Sequence, residues 1–198
     1  MLIGITGGIG AGKSVVSRIL RLKGYPVYDC DLRARILMEN SEDIRQALVS
    51  RFGEEVISDD GTLVRALIAI RVFANAEERD WLNKLVHGAV RDDLSKWTDE
   101  HDGAVCFVES AIMVTSGLDR MSDAIWLVDA PQEVRMARAI GRGGVDPENI
   151  ALRMEAQRGE FDGLPPNKIS VCGRKAARRG GLPDYRGGAC FLPESDER

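Results

Sequence analysis

The chain has 198 residues, 44% of them hydrophobic, 29% charged and 6% aromatic, the balance of a globular domain with a buried core rather than of a disordered or fibrous chain. Lys and Arg total 27 against 31 Asp and Glu, a net charge of −4, so the overall field opposes a polyanion and nucleic acid is not expected as a partner. The apolar runs Ala104–Val108 and Ala124–Val128 are five residues long, far short of the roughly 20 that cross a bilayer. No apolar leader follows Met1, and with no membrane span expected the location predicted is cytoplasmic. Cys30, Cys106, Cys172 and Cys190 are widely spaced, and neither His87 nor His101 stands at metal-ligand spacing from them. They read as free thiols.

Leu2–Thr6 is a short apolar run that reads as a strand. It stops at Gly7-Gly8-Ile9-Gly10-Ala11-Gly12-Lys13-Ser14, and a helical pattern carrying Val15, Val16, Ile19, Leu20 and Leu22 follows. Gly24 ends that helix, and Tyr25 to Tyr28 predicts a second strand finishing in Asp29-Cys30-Asp31. From Leu32 to Gly103 the pattern is helical and charged, broken by the turn signal Ser58-Asp59-Asp60-Gly61. Its longest helix opens with Asn75 as N-cap and Glu78 three residues later, then carries Trp81, Leu82, Leu85, Val86, Ala89, Val90, Leu94 and Trp97 on one face. Ala104–Val108 and Ala124–Val128 are near-continuous apolar runs of the kind found in parallel strands covered on both faces. Pro131–Gly141 and Pro147–Gln157 predict helices on either side of Gly143-Gly144, and Ile169–Cys172 predicts a last short strand. Residues 173–198 are rich in Gly, Arg and Pro without an amphipathic period and predict a poorly ordered tail.

Gly7-x-x-x-x-Gly12-Lys13-Ser14 matches the phosphate-loop template at every fixed position, between a strand and a helix as the template requires. Glycines let the backbone curl so that successive N–H groups point at phosphates, and the following helix adds the positive end of its dipole. Gly8, Ile9, Gly10, Ala11, Gly12, Lys13, Ser14 and Val15 are therefore the candidate ATP-binding residues. Lys13 would neutralise the β- and γ-phosphates, and the Ser14 hydroxyl would hold Mg²⁺. Asp29 and Asp31 alternate across a strand end, where a carboxylate can take the proton of an attacking hydroxyl, hold Mg²⁺ through water, or simply cap the next helix. Glu109, ending a buried strand, is a second candidate for the magnesium shell. Arg138 and Arg142 stand one helical turn apart and can converge on one anion. His87 lies at the border of the apolar stripe of its helix, open to a substrate role or to plain solvation.

Taken together, these motifs resemble the dephospho-CoA kinase family, from Met1 to about Gln157. The resemblance rests on Thr6–Ser14, on Val27-Tyr28-Asp29-Cys30-Asp31-Leu32-Arg33-Ala34-Arg35, on Asp60-Gly61-Thr62-Leu63 with Arg65, on Val72-Phe73-Ala74-Asn75, on Trp81-Leu82-Asn83 with His87, and on Val128-Asp129-Ala130-Pro131 with Arg138, Arg142, Glu148 and Gln157, in the family's order. It implies an α/β P-loop kinase fold with a parallel five-stranded sheet. Residues 1–31 and 104–137, with the strand near 169–172, would form the nucleotide-binding core. Residues 32–103 would be a helical acceptor subdomain, and 138–157 an arginine-bearing lid. The implied reaction moves the γ-phosphate of ATP, with Mg²⁺, to the ribose 3′-hydroxyl of dephospho-CoA. Asp31 would be the general base, Lys13 and Arg142 the catalytic cations and Arg138 an ATP ligand, with Asp29, Arg65, His87 and Glu109 about the acceptor. A monomer or small homo-oligomer is expected. Another small-molecule P-loop kinase, acting on a nucleoside, nucleotide or sugar-like alcohol, and a catalytically weakened nucleotide-binding module are the alternatives.

Overall fold

The computed structural model describes residues 1–141, 146–165 and 169–172; the expected tail at 173–198 lies outside them, as does Arg142. The chain divides into two compact units, Met1–Tyr28 together with the chain from His101 onward, and Asp29–Glu100.

The first unit is an α/β unit built on a five-stranded sheet; numbered along the chain, with β2 at Val27–Asp29, the strands lie in the order β2-β3-β1-β4-β5. Strand β1 (Leu2–Thr6) is buried at every position. It runs parallel to β3 (Cys106–Glu109) on one side, with Ile5 opposite Glu109, and to β4 (Ala124–Val128) on the other, with Thr6 opposite Leu127. That central place explains its composition, since a strand covered on both faces has no solvent side to make polar. Strand β5 (Ile169–Cys172), the short last strand expected from sequence, pairs in parallel with β4 from Ile125↔Ile169 to Val128↔Cys172. The core on one sheet face gathers Ile3, Ile5, Leu20, Phe107, Trp126 and Val128. Phe107 touches Tyr25 edge-on at 5.5 Å between ring centroids and Trp126 at 5.2 Å. Burial of this size supplies the main favourable term of folding.

Helices α1 (Lys13–Leu22), α6 (Leu118–Met121), α7 (Gln132–Ile140), α8 (Pro147–Ala156) and α9 (Arg158–Asp162) complete the described part of this unit. Glu160 of α9 is buried, and its Oε2 accepts the backbone N–H of Val114 at 3.0 Å and of Thr115 at 3.3 Å. One carboxylate thus satisfies two part-buried amides of the loop that follows β3.

Several sequence expectations shift here. Strand β2 is only Val27–Asp29, and helix α2 (Cys30–Asn40) begins at once, so Cys30 and Asp31 are helical rather than extended. The cause is the Asp29 side chain, which accepts from the backbone N–H of Leu32 at 3.0 Å and so caps the helix. Strand β3 starts at Cys106, two residues after the start of the apolar run. Asp146 stands at the N-cap of α8 without a side-chain capping bond; Pro147 at the first helical position sets the helical φ without needing one.

The second unit, Asp29–Glu100, is helical: α2, α3 (Glu42–Phe52), α4 (Arg65–Ala74) and the long α5 (Ala76–Asp99), with a 3₁₀ turn at Glu54–Val56. Ile44, Leu48, Phe52, Val56 and Ile68 form its core, with Trp81, Leu82, Leu85 and Ala89 of α5 packed against them. Phe52 meets Trp81 edge-on at 5.4 Å. Asn75 does cap α5, accepting from the Glu77 N–H at 2.9 Å. Glu78 does not close the expected capping box, because Arg51 of α3 takes its carboxylate in two bonds of 2.8 and 3.0 Å. The Ser58–Gly61 turn is held by Asp60, which accepts from Ser58 Oγ at 2.5 Å and from the Thr62 N–H at 3.0 Å. The Ser58 hydroxyl first, then the Thr62 amide and hydroxyl, lower the pKa of that carboxyl to about 2.

Glu160→Ala is expected to destabilise the protein by about 1–2 kcal/mol, the worth of charge-assisted bonds from a buried carboxylate to two part-buried amides. Urea denaturation followed by circular dichroism measures it; an unchanged midpoint would show that the loop holds itself.

Candidate functional site

The loop between β1 and α1 is shaped by what surrounds it. Gly7 has φ 151°, Gly10 φ 77° and Gly12 φ 110°, a backbone region open to glycine and strained for other residues. Space enforces the same choice. A Cβ on Gly7 would overlap the carbonyl oxygen of Val128 at the end of β4, and a Cβ on Gly10 would overlap the carbonyl oxygen of Arg135 on α7. A Cβ on Gly8 would come within 2.7 Å of the Arg135 guanidinium. The loop is therefore pinned between β4 and α7 with backbone on its outer side.

Within the loop, the Ala11 N–H bonds the Gly8 carbonyl at 3.0 Å, and the Ile9 N–H is accepted by Gln157 Oε1, just past α8, at 3.0 Å. Arg138 of α7 donates from Nη1 to the carbonyls of Gly10 at 3.3 Å and Ala11 at 3.2 Å. Lys13 Nζ donates to the Gly7 carbonyl at 2.7 Å, bending its ammonium back over the loop. Gly12 caps α1 in the left-handed conformation, and no side chain caps that helix. The start of α1 is thus left for an anion, to which its first amides and the helix dipole present positive charge. Ser14 is exposed in the first turn of α1. Glu109 is half-buried at the end of β3, in register with Ile5 just upstream of the loop.

The remaining candidate residues belong to the second unit. Asp29 is committed to capping α2, which places Asp31 in the first turn of that helix, exposed. Arg65 opens α4 and pairs with Glu39 at 2.5 Å, both side chains more than half exposed. Its charge is answered at the surface, where such pairs contribute little stability. His87 is half-buried on α5. Between α2, α3 and α5 lies an open groove of about 440 Å³ lined by Leu37, Asp43, Lys84, Leu85 and Lys96 among others. Among the described residues His87 does not line it.

The sequence reading missed two groups on the loop side. Arg135 stands three residues before Arg138, on the same helical face by the same spacing argument that paired Arg138 with Arg142. Gln157 entered only as part of the family resemblance, because a lone Gln in a helix tail carries no chemical signal. In the second unit, Arg33 grips Asp93 through Nε at 2.8 Å and Nη2 at 2.6 Å, a bidentate pair between α2 and α5 that sequence distance conceals.

The comparisons with known proteins agree on one family. The family model described as dephospho-CoA kinase matches residues 1–164. A dephospho-CoA kinase from Porphyromonas gingivalis is 41% identical over 158 residues, covering 80% of this chain and 78% of that one. Another from Shouchella clausii is 37% identical over 160 residues, covering 79% and 81%. A crystal structure of a protein from Thermus thermophilus superposes with a TM-score of 0.68 at 34% identity over 82% of each chain. The dephospho-CoA kinase structure from Campylobacter jejuni, with a TM-score of 0.59 at 20% identity over 93% of this chain and 91% of that one, shares the fold. With the model match running from the first strand through α9 and taking in the phosphate loop near its start, the chain belongs to the dephospho-CoA kinase family.

Proposed function

We propose that the chain transfers the γ-phosphate of ATP to the ribose 3′-hydroxyl of dephospho-CoA, giving CoA and ADP. The observation that carries this reading is the phosphate loop, closed on its outer side by β4 and α7 and open at the uncapped start of α1, in a chain of this family. In it the backbone amides from Gly8 to Val15 hold the polyphosphate, and Lys13 swings from the Gly7 carbonyl to the β- and γ-oxygens. Arg138, fixed on the loop carbonyls, adds positive charge beside ATP, and Arg142 follows it as a lid arginine. Asp31 accepts the proton of the 3′-hydroxyl as the oxygen attacks phosphorus. The helical unit that carries Asp31, Arg65 and His87 receives the acceptor.

The donor set suits Mg²⁺. Ser14 offers an exposed hydroxyl and Glu109 a half-buried carboxylate at the neighbouring strand end, and a small hard cation takes one or two such oxygens with phosphates and water for the rest. Asp29, its carboxylate bound to the Leu32 amide, would reach the ion only through water. Held by Ser14 and Glu109, the ion would supply positive charge that offsets the negative charge of the transferring group. Among the described residues no helix is long and apolar enough to cross a membrane.

Mass spectrometry of reactions containing Mg-ATP with dephospho-CoA, a nucleoside monophosphate or shikimate tests the acceptor. CoA and ADP should form only in the first; phosphorylation of another acceptor, or ADP without CoA, would contradict the reading. Asp31→Asn should lower kcat by about 100-fold or more with ATP affinity within twofold, since it removes a base and keeps the shape. A kcat near wild type would remove Asp31 from that role. Lys13→Ala should weaken ATP binding about tenfold and slow transfer as well; calorimetric titration showing equal affinity would contradict the phosphate-loop assignment.

A further inference from the structure

Arg135 is a half-buried arginine whose charge the described fold pairs only loosely. Its side chain is 15% exposed, and the nearest carboxylate, Asp129 Oδ1, lies 3.8 Å from Nη1, beyond hydrogen-bond range. Its Nε is buried and has no hydrogen-bond partner among the described residues. Other arginines of the chain are treated differently. Arg33 and Arg51 each bind one carboxylate through two nitrogens at 2.6 to 3.0 Å. A guanidinium withdrawn from water without such a partner is costly, and a fold that keeps one there commonly uses it for an anion that comes and goes.

Its position names the anion. The guanidinium lies against Gly8 so closely that a Cβ there would meet Cζ and Nη2 at 2.7 Å and Nη1 at 2.9 Å. The carbonyl of the same residue abuts Gly10. One residue of α7 therefore braces two glycines of the phosphate loop and sets a full positive charge at contact distance from Gly8. In the partly dry interior such a charge acts over that distance with little screening.

We propose that Arg135 is a further positioning residue for the polyphosphate: it holds the Gly8–Gly10 segment in its binding shape and supplies a fixed positive field through the loop, so that its contribution grows with the charge of the nucleotide. The inference rests on the reading that this loop takes ATP. Asp129, with its side chain 43% exposed, is the counterweight that keeps this field below its full strength when the loop is empty.

Two changes separate charge from packing. Arg135→Met keeps most of the aliphatic stem and removes the charge, whereas Arg135→Lys keeps a charge on a different head group. Calorimetric titrations with ATP and ADP should show Arg135→Met weakening ATP about tenfold and ADP about threefold, with Arg135→Lys recovering most of the loss. Equal losses for the two nucleotides, or none, would reduce Arg135 to packing and overturn the proposal. Asp129→Asn, at a half-exposed site, tests the field without disturbing the loop: it should tighten ATP about threefold, and unchanged or weaker binding would again overturn the proposal. Variants that follow these trends while the wild-type protein binds ATP but makes no CoA would end the acceptor reading and leave Arg135 in place. Wild-type protein that binds no ATP would end both.

Discussion

The structure depends on close backbone approach at Gly7 and Gly10, with the Arg135 guanidinium set against Gly8. The Val128 carbonyl stands where a Cβ on Gly7 would go, and Arg135 stands where side chains on Gly8 and Gly10 would go. This constraint ties together parts far apart in sequence. It needs β4 beside β1, which the Ile3↔Ala124 to Thr6↔Leu127 register provides, and it needs α7 to leave β4 at once and turn back over the loop. The same closeness lets Arg138 reach the Gly10 and Ala11 carbonyls and Gln157 reach the Ile9 amide. A loop so braced keeps its shape without phosphate, and preorganisation of that kind spares the ordering cost of binding.

The chain divides into two units of different construction. The α/β unit supplies a rigid anion site at the carboxyl ends of parallel strands, the usual place for a ligand in such sheets. The helical unit is held by a separate core around Ile44, Leu48 and Phe52 and by the Arg33–Asp93 and Arg51–Glu78 pairs. On the proposed reading, acceptor recognition would vary there without disturbing the phosphate loop.

How much of this was legible in the residues follows from the range of each interaction. The loop, β1, β4, the short β5 and the Asn75 cap are set by neighbours in sequence, and their patterns show in Leu2–Ser14, Ala124–Val128, Ile169–Cys172 and Asn75–Glu78. Asp31 was expected at a strand end and lies in a helix, because the choice between strand and cap at Asp29 turned on one side-chain bond to Leu32. Arg135, Gln157, Glu160 and the Arg33–Asp93 pair were not legible as contacts. Each joins residues between 45 and 148 positions apart or depends on where a helix lands, and a single sequence carries no record of that. The family resemblance supplied order and spacing where local physics had little to say, above all across residues 32–103.

The central claim is that one loop and one base direct phosphate to one oxygen of the acceptor. Phosphorus–proton correlation NMR on the product of the complete reaction tests it most directly. A new phosphomonoester coupled to the ribose 3′ proton is the predicted result, and a new phosphate on any other oxygen of the acceptor, or none at all, would contradict the account.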